Sequence, residues 1–417
     1  MKVFKFGGAS VKDAKGVANL KRLVQQQGAE NTLIVVSAMG KMTNALEDVV
    51  VAYFDEEEKT AGLLTAIQAY HFDIIDVLFL KESETIKNEI LGFIEELKTF
   101  LHSNKSPNRS FVYDQVVCVG ELISTHIIAA YLNAQGIPTQ WLDARSAVKT
   151  NAYYRGADLD WEATKKQIKT QVRGKPTYIT QGFIGSDSNN FTTTLGREGS
   201  DYTAAIYAYA LDAESVTIWK DVPGVLNADP RIFDSTQLLH QISYREAIEL
   251  AFYGASVIHP KTLQPLQRKE IPLFVKSFLN PENPGTSVSK GQALIPKLPC
   301  FILKKDQILL RLFSLDFSFI VEDNISQIFS LLHRHQMRVE LIQNSAISFS
   351  VCIYNKYNRL EELVKALEST FKVTVHLGVN LYTIRHFDQA AIDRIRNNGK
   401  KILLEQRTQE TLQLVTA

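Results

Sequence analysis

Three short segments of this chain combine glycine with charged residues in a way that suits phosphate or carboxylate binding. The first is residues 5–10 (KFGGAS), close to the start of the chain. A glycine pair between a strand and a helix lets backbone N–H groups approach phosphate oxygens, and the helix dipole adds a favourable potential. Lys5, at the end of the strand, could reach the same phosphates. Taken alone, the segment is explained equally well by a tight turn beside a surface lysine.

The second segment, residues 192–202 (TTTLGREGSDY), puts an arginine, acidic residues and a serine in one glycine-rich turn between a strand and a helix. Arginine offers a fork of two donors to a carboxylate. In a purely structural interpretation, Ser200 caps the helix, Asp201 complements the helix dipole and Arg197 is solvated. The residues of this segment alone do not decide between these interpretations.

The third segment, residues 219–231 (WKDVPGVLNADPR), begins at the end of an apolar strand and contains a Pro-Gly turn. Its Lys-Asp pair and its Asp-Pro-Arg triplet place charge on both sides of that turn. By itself the segment fits a polar surface turn. The combination of all three segments along one chain is much more specific than any one of them.

Strands and helices alternate around these segments, which indicates an α/β fold with a mostly parallel sheet. Ser10 and Asp13 form an S-x-x-D capping box, so a helix should run from there to about Gln27. Residues 50–110 are charged and poor in glycine, and we interpret them as a helical excursion. Further predictions are strands at 2–6, 32–37, 112–119 and 215–219, a helix at 121–135, and a helix capped by Ser200 that ends near residue 211.

The pattern changes after a turn-rich stretch at residues 280–300. Residues 308–377 read as strand, helix, two strands, helix and strand. Residues 380–417 repeat the beginning of that order, and we interpret them as a second unit that lacks its final helix and strand. The chain therefore divides into an N-terminal α/β domain and a pair of smaller α+β units.

Charge and composition exclude several classes of function. The 417 residues carry 46 basic and 45 acidic side chains, so no global positive field favours nucleic acid or a membrane surface. The N-terminal apolar stretch is too short for a signal peptide. Three scattered cysteines fit buried free thiols in a reducing compartment. We expect a cytoplasmic protein without nucleic-acid or membrane partners.

Taken together, the three segments resemble those of the aspartate kinases of the amino-acid kinase superfamily. Further matching pieces are VVSA (35–38), TN (43–44), GEL (120–122), DAR (143–145), QGF (181–183) and HPKTL (259–263). The resemblance covers residues 1–290 in order, and the repeats at 300–378 and 379–417 resemble paired ACT domains. It implies a three-layer αβα kinase domain with a mostly parallel central sheet, followed by ferredoxin-like ACT units of α+β type.

The resemblance also implies a role for each matching residue. Lys5 would neutralise the transferring phosphoryl group, and Asp201 would orient Lys5. Arg197 would hold a carboxylate of L-aspartate, and Glu121 would receive its α-ammonium group. The nucleotide would be ATP with Mg²⁺, without a protein metal site. Other implied contacts are Ser37, Thr43 and Ser200 for aspartate, and Gly7, Gly8, Ser10, Lys220, Asp221, Leu226 and Arg231 for ATP.

Three residues depart from the family pattern. Ala9 stands where threonine is usual, Glu198 where glycine is common, and Ser256 where some relatives have a nucleotide-binding lysine. We expect Glu198 to point to solvent, because the rest of its loop is intact. A carboxylate directed into the site would instead oppose two anionic substrates.

Alternatives to the aspartate kinase prediction remain at this point. A kinase for an N-acylated glutamate would leave Glu121 without a cation to pair, and a buried unpaired carboxylate is costly. In a non-catalytic amino-acid sensor, the ACT pair would be the functional part of the protein and the kinase domain would be inactive. A fused homoserine dehydrogenase is not expected, since no G-x-G-x-x-G turn follows the kinase domain.

The resemblance finally predicts feedback regulation of an enzyme that begins lysine, threonine and methionine synthesis. We expect the ACT units to pair in a homodimer or larger homo-oligomer. An end product, most simply lysine, would bind at a strand-to-helix turn and a facing strand formed by Asn324, Ile325, Ser326, Ser345 and Ala346. A dimer interface without any ligand is the alternative for this region.

Overall fold

The structure is a computed structural model that describes residues 1–80, 82–255, 258–291, 293–397 and 399–417. Ser256, one of the three departures, lies outside these residues. The chain forms two compact units. The first contains the described residues of 1–225, 238–248 and 257–294, and the second those of 226–237, 249–256 and 295–417. Each unit is described by itself.

An eight-stranded sheet forms the centre of the first unit. Its order is β3-β4-β2-β1-β7-β9-β10-β8, and every neighbouring pair is parallel except β9 with β10. The central strands are apolar and buried, as expected for a parallel sheet covered on both faces. Strands β5 and β6 form a separate two-stranded sheet. The strands of the first unit are β1 (Lys2–Phe6), β2 (Thr32–Val36), β3 (Thr139–Leu142), β4 (Thr177–Gln181), β5 (Ile184–Ser186), β6 (Thr192–Thr194), β7 (Ser215–Lys220), β8 (Gln241–Ser243), β9 (Leu273–Ser277) and β10 (Thr286–Ser289).

Two groups of helices pack against this sheet. Helix α8 contacts α7 and α10, and it also contacts β1, β2 and β7. Helices α2 to α5 form the other group, in which α5 contacts β2, β3 and β4. The predicted mostly parallel α/β fold and the helical excursion are confirmed. The helices are α1 (Ala14–Gln27), α2 (Met42–Asp55), α3 (Thr60–Leu78), α4 (Ser83–Ser103), α5 (Arg109–Ala134), α6 (Ala144–Ala147), α7 (Trp161–Gln171), α8 (Gly199–Leu211), α9 (Tyr244–Tyr253) and α10 (Pro260–Lys269).

The strand predicted at residues 112–119 is wrong, because these residues belong to the long helix α5. Nearly every face of α5 is buried, so its sequence shows no helical period, and its valine-rich run resembles a buried strand. Asn108 caps the helix by accepting hydrogen bonds from the N–H groups of Ser110 and Phe111. Although α5 is long and apolar enough to cross a membrane, 83% of its most apolar window is buried inside the protein, as in an ordinary core helix.

Two helix starts differ from the predicted ones. Asp13 alone caps α1, and its Oδ1 accepts from Gly16 N at 2.7 Å. Ser10 lies instead in a short 3₁₀ turn (Gly8–Val11), where its hydroxyl donates to Gly7 O. The N-cap of α8 is Glu198 rather than Ser200.

The second unit has a six-stranded antiparallel sheet in the order β12-β13-β11-β14-β16-β15. Residues 372–377 and 380–387, predicted as separate strands, belong largely to one long strand. Its ladder with the neighbouring long strand is irregular near Gln307, and Asp306 and Gly378 have positive φ there. The elements are β11 (Cys300–Ser314), α11 (Glu322–Arg334), β12 (Arg338–Asn344), β13 (Ser348–Tyr354), α12 (Leu360–Glu368), β14 (Phe371–Arg385), α13 (Gln389–Arg396), β15 (Ile402–Arg407) and β16 (Thr411–Thr416).

The abbreviated repeat is more complete than its sequence order indicates. Residues 300–304 of β11 pair with residues 381–385 of β14, so the strand expected to be missing is supplied from the N-terminal side. The segment 226–237 adds Phe233 to the core beside α13, where it packs with Phe301 and Ile384. The guanidinium of Arg394 lies over the rings of Phe233 and Phe301. Leu226 and Arg231, predicted to bind nucleotide, therefore belong to this second unit.

Candidate active site

A cleft of about 310 Å³ opens in the first unit at the carboxyl ends of its central strands. Clefts at this edge are where open α/β sheets bind ligands, and the volume suits one small molecule or part of a larger one. Seven of the residues predicted to bind aspartate or ATP or to act in catalysis line it, together with four others. The lining residues are Lys5, Ser37, Thr43, Glu121, Phe183, Gly196, Glu198, Gly199, Ser200, Asp201 and Lys220.

Two lysines in the cleft share one buried carboxylate. Lys5 is the penultimate residue of β1 and Lys220 is the last residue of β7, and these two strands are parallel neighbours in the sheet. Lys5 Nζ lies 2.8 Å from Asp201 Oδ1, and Lys220 Nζ lies 3.4 Å from Asp201 Oδ2. Burial raises the pKa of Asp201, but the charges and hydrogen bonds of the two lysines outweigh burial and hold that pKa below its usual value. The three side chains therefore carry a net positive charge in front of any incoming anion.

The glycine pair after β1 brings backbone and ammonium groups close together. A Cβ on Gly7 would lie 3.3 Å from Lys5 Nζ. A Cβ on Gly8 would lie 2.6 Å from Ala38 O and 2.7 Å from Gly40 O, too close for any side chain. The turn thus requires glycine for close backbone packing, which is consistent with a phosphate-binding turn. These two glycines and Ser10 are not among the residues that line the cleft.

Glu121 is a buried acid in the cleft wall, carried by α5. Burial raises the pKa of Glu121 to about 8, even though the Ala38 N–H and the charge of Lys5 lower it. Among the described residues, none donates a hydrogen bond to its Oε2. An acid of this kind is ready to receive a cationic donor from a ligand.

Glu198 also lies in the cleft wall, so the expectation that it points to solvent is wrong. Its backbone is left-handed, with φ 54° and ψ 29°, because the chain reverses there to begin α8. Its Oε2 is buried and, within the described part of the chain, accepts no hydrogen bond. Burial lowers the pKa of the nearby His259 below its usual value, despite the opposing charge of Glu198.

Several predicted site residues lie outside the cleft wall. Arg197 is exposed, although its neighbours Gly196 and Glu198 line the cleft. Asp221 is exposed and follows Lys220 directly. Arg231 is exposed and pairs with Asp229, Nη2 to Oδ2 at 2.7 Å.

Two residues of the site region were not singled out by their sequence. Phe183 lines the cleft with a positive φ of 72°, and its QGF motif matched the resemblance without an assigned role. Asp114 on α5 accepts hydrogen bonds from Thr194 N and Oγ1, both at 2.8 Å, and from Arg155 N. Burial raises the pKa of Asp114 to about 6. Asp114 anchors the strand before the glycine-rich loop, a role hidden by the mistaken strand prediction.

The donor set of the cleft suits a nucleotide better than a protein-held metal. In the described residues there is no group of three or more His, Cys, Asp or Glu side chains that could hold a metal ion. The carboxylate of Asp201 is occupied by two lysines. A magnesium ion bound here would therefore be held chiefly by phosphate oxygens, as is common for Mg²⁺ with nucleotides.

Comparisons with known proteins show the family of this chain. Residues 1–277 match the model of the amino acid kinase family. The chain therefore belongs to the amino acid kinase family, and its similarities place it among the aspartokinases. The lysine-sensitive aspartokinase 3 of Escherichia coli (strain K12) is 35% identical over 84% of this chain and 78% of that protein.

Two further comparisons cover a larger share of the chain. The crystal structure of E. coli aspartokinase III in complex with aspartate and ADP has a TM-score of 0.82 and 30% sequence identity, and the match covers 100% of this chain and 96% of that one. A bifunctional aspartokinase/homoserine dehydrogenase of Daucus carota is 28% identical over 90% of this chain, which spans 42% of that longer protein.

Proposed function

We propose that this protein is an aspartate kinase, which transfers the γ-phosphoryl group of ATP to the side-chain carboxylate of L-aspartate to give 4-phospho-L-aspartate. The observation that carries the proposal is the cleft in which Lys5 and Lys220 share Asp201. The same cleft contains the buried Glu121, whose Oε2 accepts no hydrogen bond from the described residues. The two lysines suit anionic substrates, and Glu121 suits an amino acid with a free ammonium group. The aspartokinase relatives support the same activity.

The reaction needs positioning and charge neutralisation rather than a general base. The attacking carboxylate has an unperturbed pKa of about 3.9, so it is already ionised at neutral pH. Lys5 neutralises the transferring phosphoryl group, and Asp201 holds the Lys5 ammonium in place. Mg²⁺ bound together with the nucleotide would supply further charge neutralisation.

The remaining residues bind the two substrates. Glu121 pairs with the α-ammonium of aspartate. The exposed side chain of Arg197 binds a carboxylate of the same substrate. Lys220, the last residue of β7, contacts the nucleotide phosphates. We also assign Ser37, Thr43 and Ser200 to aspartate, and Gly7, Gly8, Ser10, Asp221, Leu226 and Arg231 to ATP.

A coupled assay tests the activity. Purified protein should release ADP in the presence of ATP, Mg²⁺ and L-aspartate, and hydroxylamine should trap an acyl hydroxamate from the mixed anhydride product. Activity on N-acetylglutamate without activity on aspartate would refute the proposal. Glu121 favours aspartate, because an acylated amine brings no charge to its buried carboxylate.

We further propose feedback regulation by lysine in the second unit, together with a homodimer formed through its ACT units. The name of the lysine-sensitive relative supports the choice of lysine. The proposed residues lie differently from their sequence prediction. Asn324, Ile325 and Ser326 are inside the first turns of α11, where Asn324 Oδ1 accepts from Val321 N, and Ser345 and Ala346 lie in the turn before β13.

Calorimetry of the whole chain with lysine and with threonine tests this regulation. Lysine binding that is lost in a truncation ending near residue 295 supports it, and binding that survives the truncation contradicts the location. The coupling free energy between lysine binding and aspartate binding should be about 1–3 kcal/mol.

We propose a cytoplasmic location and the first step of lysine, threonine and methionine synthesis as the setting of the enzyme.

A further inference from the structure

Glu198 carries an inference that goes beyond the proposed roles. It stands at a backbone position that favours glycine, since only glycine adopts a positive φ without steric cost. A glutamate there bears strain and also brings a negative charge into a cleft for anionic substrates. These two costs need a compensating interaction, and among the described residues none donates a hydrogen bond to its buried Oε2.

The cleft contains a second acid in the same condition. Glu121 Oε2 is buried and, in the described chain, likewise accepts no hydrogen bond. Both acids line one cleft of about 310 Å³. A cleft of that size brings its opposite walls within reach of a single small ligand. A single small ligand in the cleft can therefore approach both residues.

Among the described residues, no ion pair joins Glu198 to a lysine or an arginine. The ion pairs found for Lys5 and Lys220 in the cleft go to Asp201, on the first turn of α8. His259 is the nearby group whose titration responds to Glu198, and burial keeps its pKa below the usual value, so its imidazole is neutral at neutral pH. The cation for Glu198 must then arrive with a ligand.

We propose that Glu198 is a specificity-determining residue that accepts a hydrogen bond from the α-ammonium of aspartate, which it shares with Glu121. An ammonium group has three N–H donors, enough for two carboxylates. The adjacent Arg197 is assigned to a carboxylate of the same substrate, so the ammonium of that amino acid lies close to residue 198. This inference rests on the proposed aspartate kinase function and deepens it.

The consequence is a site that demands an amino group. A dicarboxylate without an amine places no cation between the two acids, and its own charges are repelled by Glu198. Succinate, which has the four carbons and both carboxylates of aspartate but no amine, is therefore the appropriate probe. Removing the charge of Glu198 should weaken aspartate and leave succinate unchanged or bound more tightly.

The test uses the full-length enzyme and two variants. Glu198→Gln keeps the side-chain size and removes the charge, and Glu198→Gly also relieves the left-handed backbone, so it should fold at least as well as the wild type. The KM for L-aspartate should rise roughly tenfold in both variants, as for other lost charge-assisted hydrogen bonds, while kcat changes much less. The inhibition constant of succinate against aspartate should stay constant or fall. Glu162→Gln, at an exposed position on α7, is the matched control.

Three results would overturn the inference. If aspartate and succinate shift equally, Glu198 acts only through the shape of the loop. If aspartate binds more tightly to the variants, its charge is merely repulsive. If only the Mg²⁺ requirement changes, it serves the metal. Binding of aspartate and succinate is also measured by calorimetry with ADP, so a wild type without kinase activity would refute the proposed function and still leave the role of Glu198 measurable.

Discussion

The raised pKa of Glu121 predicts that aspartate binding depends on pH. Burial raises this pKa to about 8, so the carboxyl group is mostly protonated at neutral pH in the empty cleft. Only the ionised form pairs with an ammonium group. The apparent dissociation constant of aspartate should therefore fall as the pH rises, and should become constant above about pH 8.

The size of the effect follows from the protonation equilibrium. With a pKa of about 8, about a tenth of Glu121 is ionised at pH 7, so the apparent affinity there is about tenfold below its limit, and about a hundredfold below it at pH 6. Calorimetric titration of aspartate in the presence of ADP, from pH 6 to 8.5, measures this slope. Glu121→Gln should bind aspartate weakly and without the slope, whereas Glu58→Gln, at an exposed position, should behave as the wild type.

Stability provides an independent measurement of the same pKa. The pKa of Glu121 is higher in the folded protein than its usual value of 4.5, so the folded state holds the extra proton. Its stabilising contribution is fully present below the unfolded pKa and is lost as the pH rises through about 8, at about 1.4 kcal/mol per pH unit. Between pH 6 and 8 the wild type should lose about 2–3 kcal/mol relative to Glu121→Gln. A variant that kept the wild-type pH slope in both assays would refute the reasoning.

Four further substitutions test other parts of the molecule. Lys5→Met should lower kcat by roughly 10²–10³, with a smaller effect on the KM for aspartate, because its charge acts on the transferring phosphoryl group. Arg197→Ala should act mainly by raising the KM for aspartate, by about tenfold in steady-state assays. Gly8→Ala should reduce both activity and melting temperature, since its Cβ would overlap the carbonyl oxygens of residues 38 and 40. Phe233→Ala should destabilise the second unit by about 3–5 kcal/mol, measured by hydrogen exchange in α13 and β16.

Three of these substitutions have a matched control in the chain. Lys15→Met removes an exposed lysine, and Gly62→Ala adds a Cβ that meets no atom within 4 Å. Phe252→Ala removes a ring that is 64% exposed. Near wild-type kcat in Lys5→Met would contradict the role of that lysine, and unchanged exchange in Phe233→Ala would contradict the packing role of segment 226–237. An Arg197→Ala enzyme with normal aspartate kinetics would leave Arg197 outside the site.

The sequence by itself determined the fold of the first unit and most of the cleft. Glycine, proline and capping residues act locally, and the carboxyl ends of parallel strands necessarily meet at one edge of the sheet. Motifs placed after β1 and β7 were therefore certain to lie near each other once those strands were recognised as parallel neighbours. Lys5, Asp201 and Lys220 illustrate this, since they come from distant parts of the chain and form one charged group.

Tertiary structure decided the features that depend on packing in space rather than on neighbouring residues in the sequence. The valine-rich part of α5 fits a strand or a buried helix equally well, and only packing on all sides selects the helix. Glu198 turns into the cleft because the chain reverses in a left-handed conformation before α8, which its own residue type does not favour. The fourth strand of the abbreviated unit comes from earlier in the chain, and sequence order does not reveal this pairing. Burial likewise sets the pKa of Glu121, because desolvation depends on everything packed around a carboxylate and not on the residues next to it.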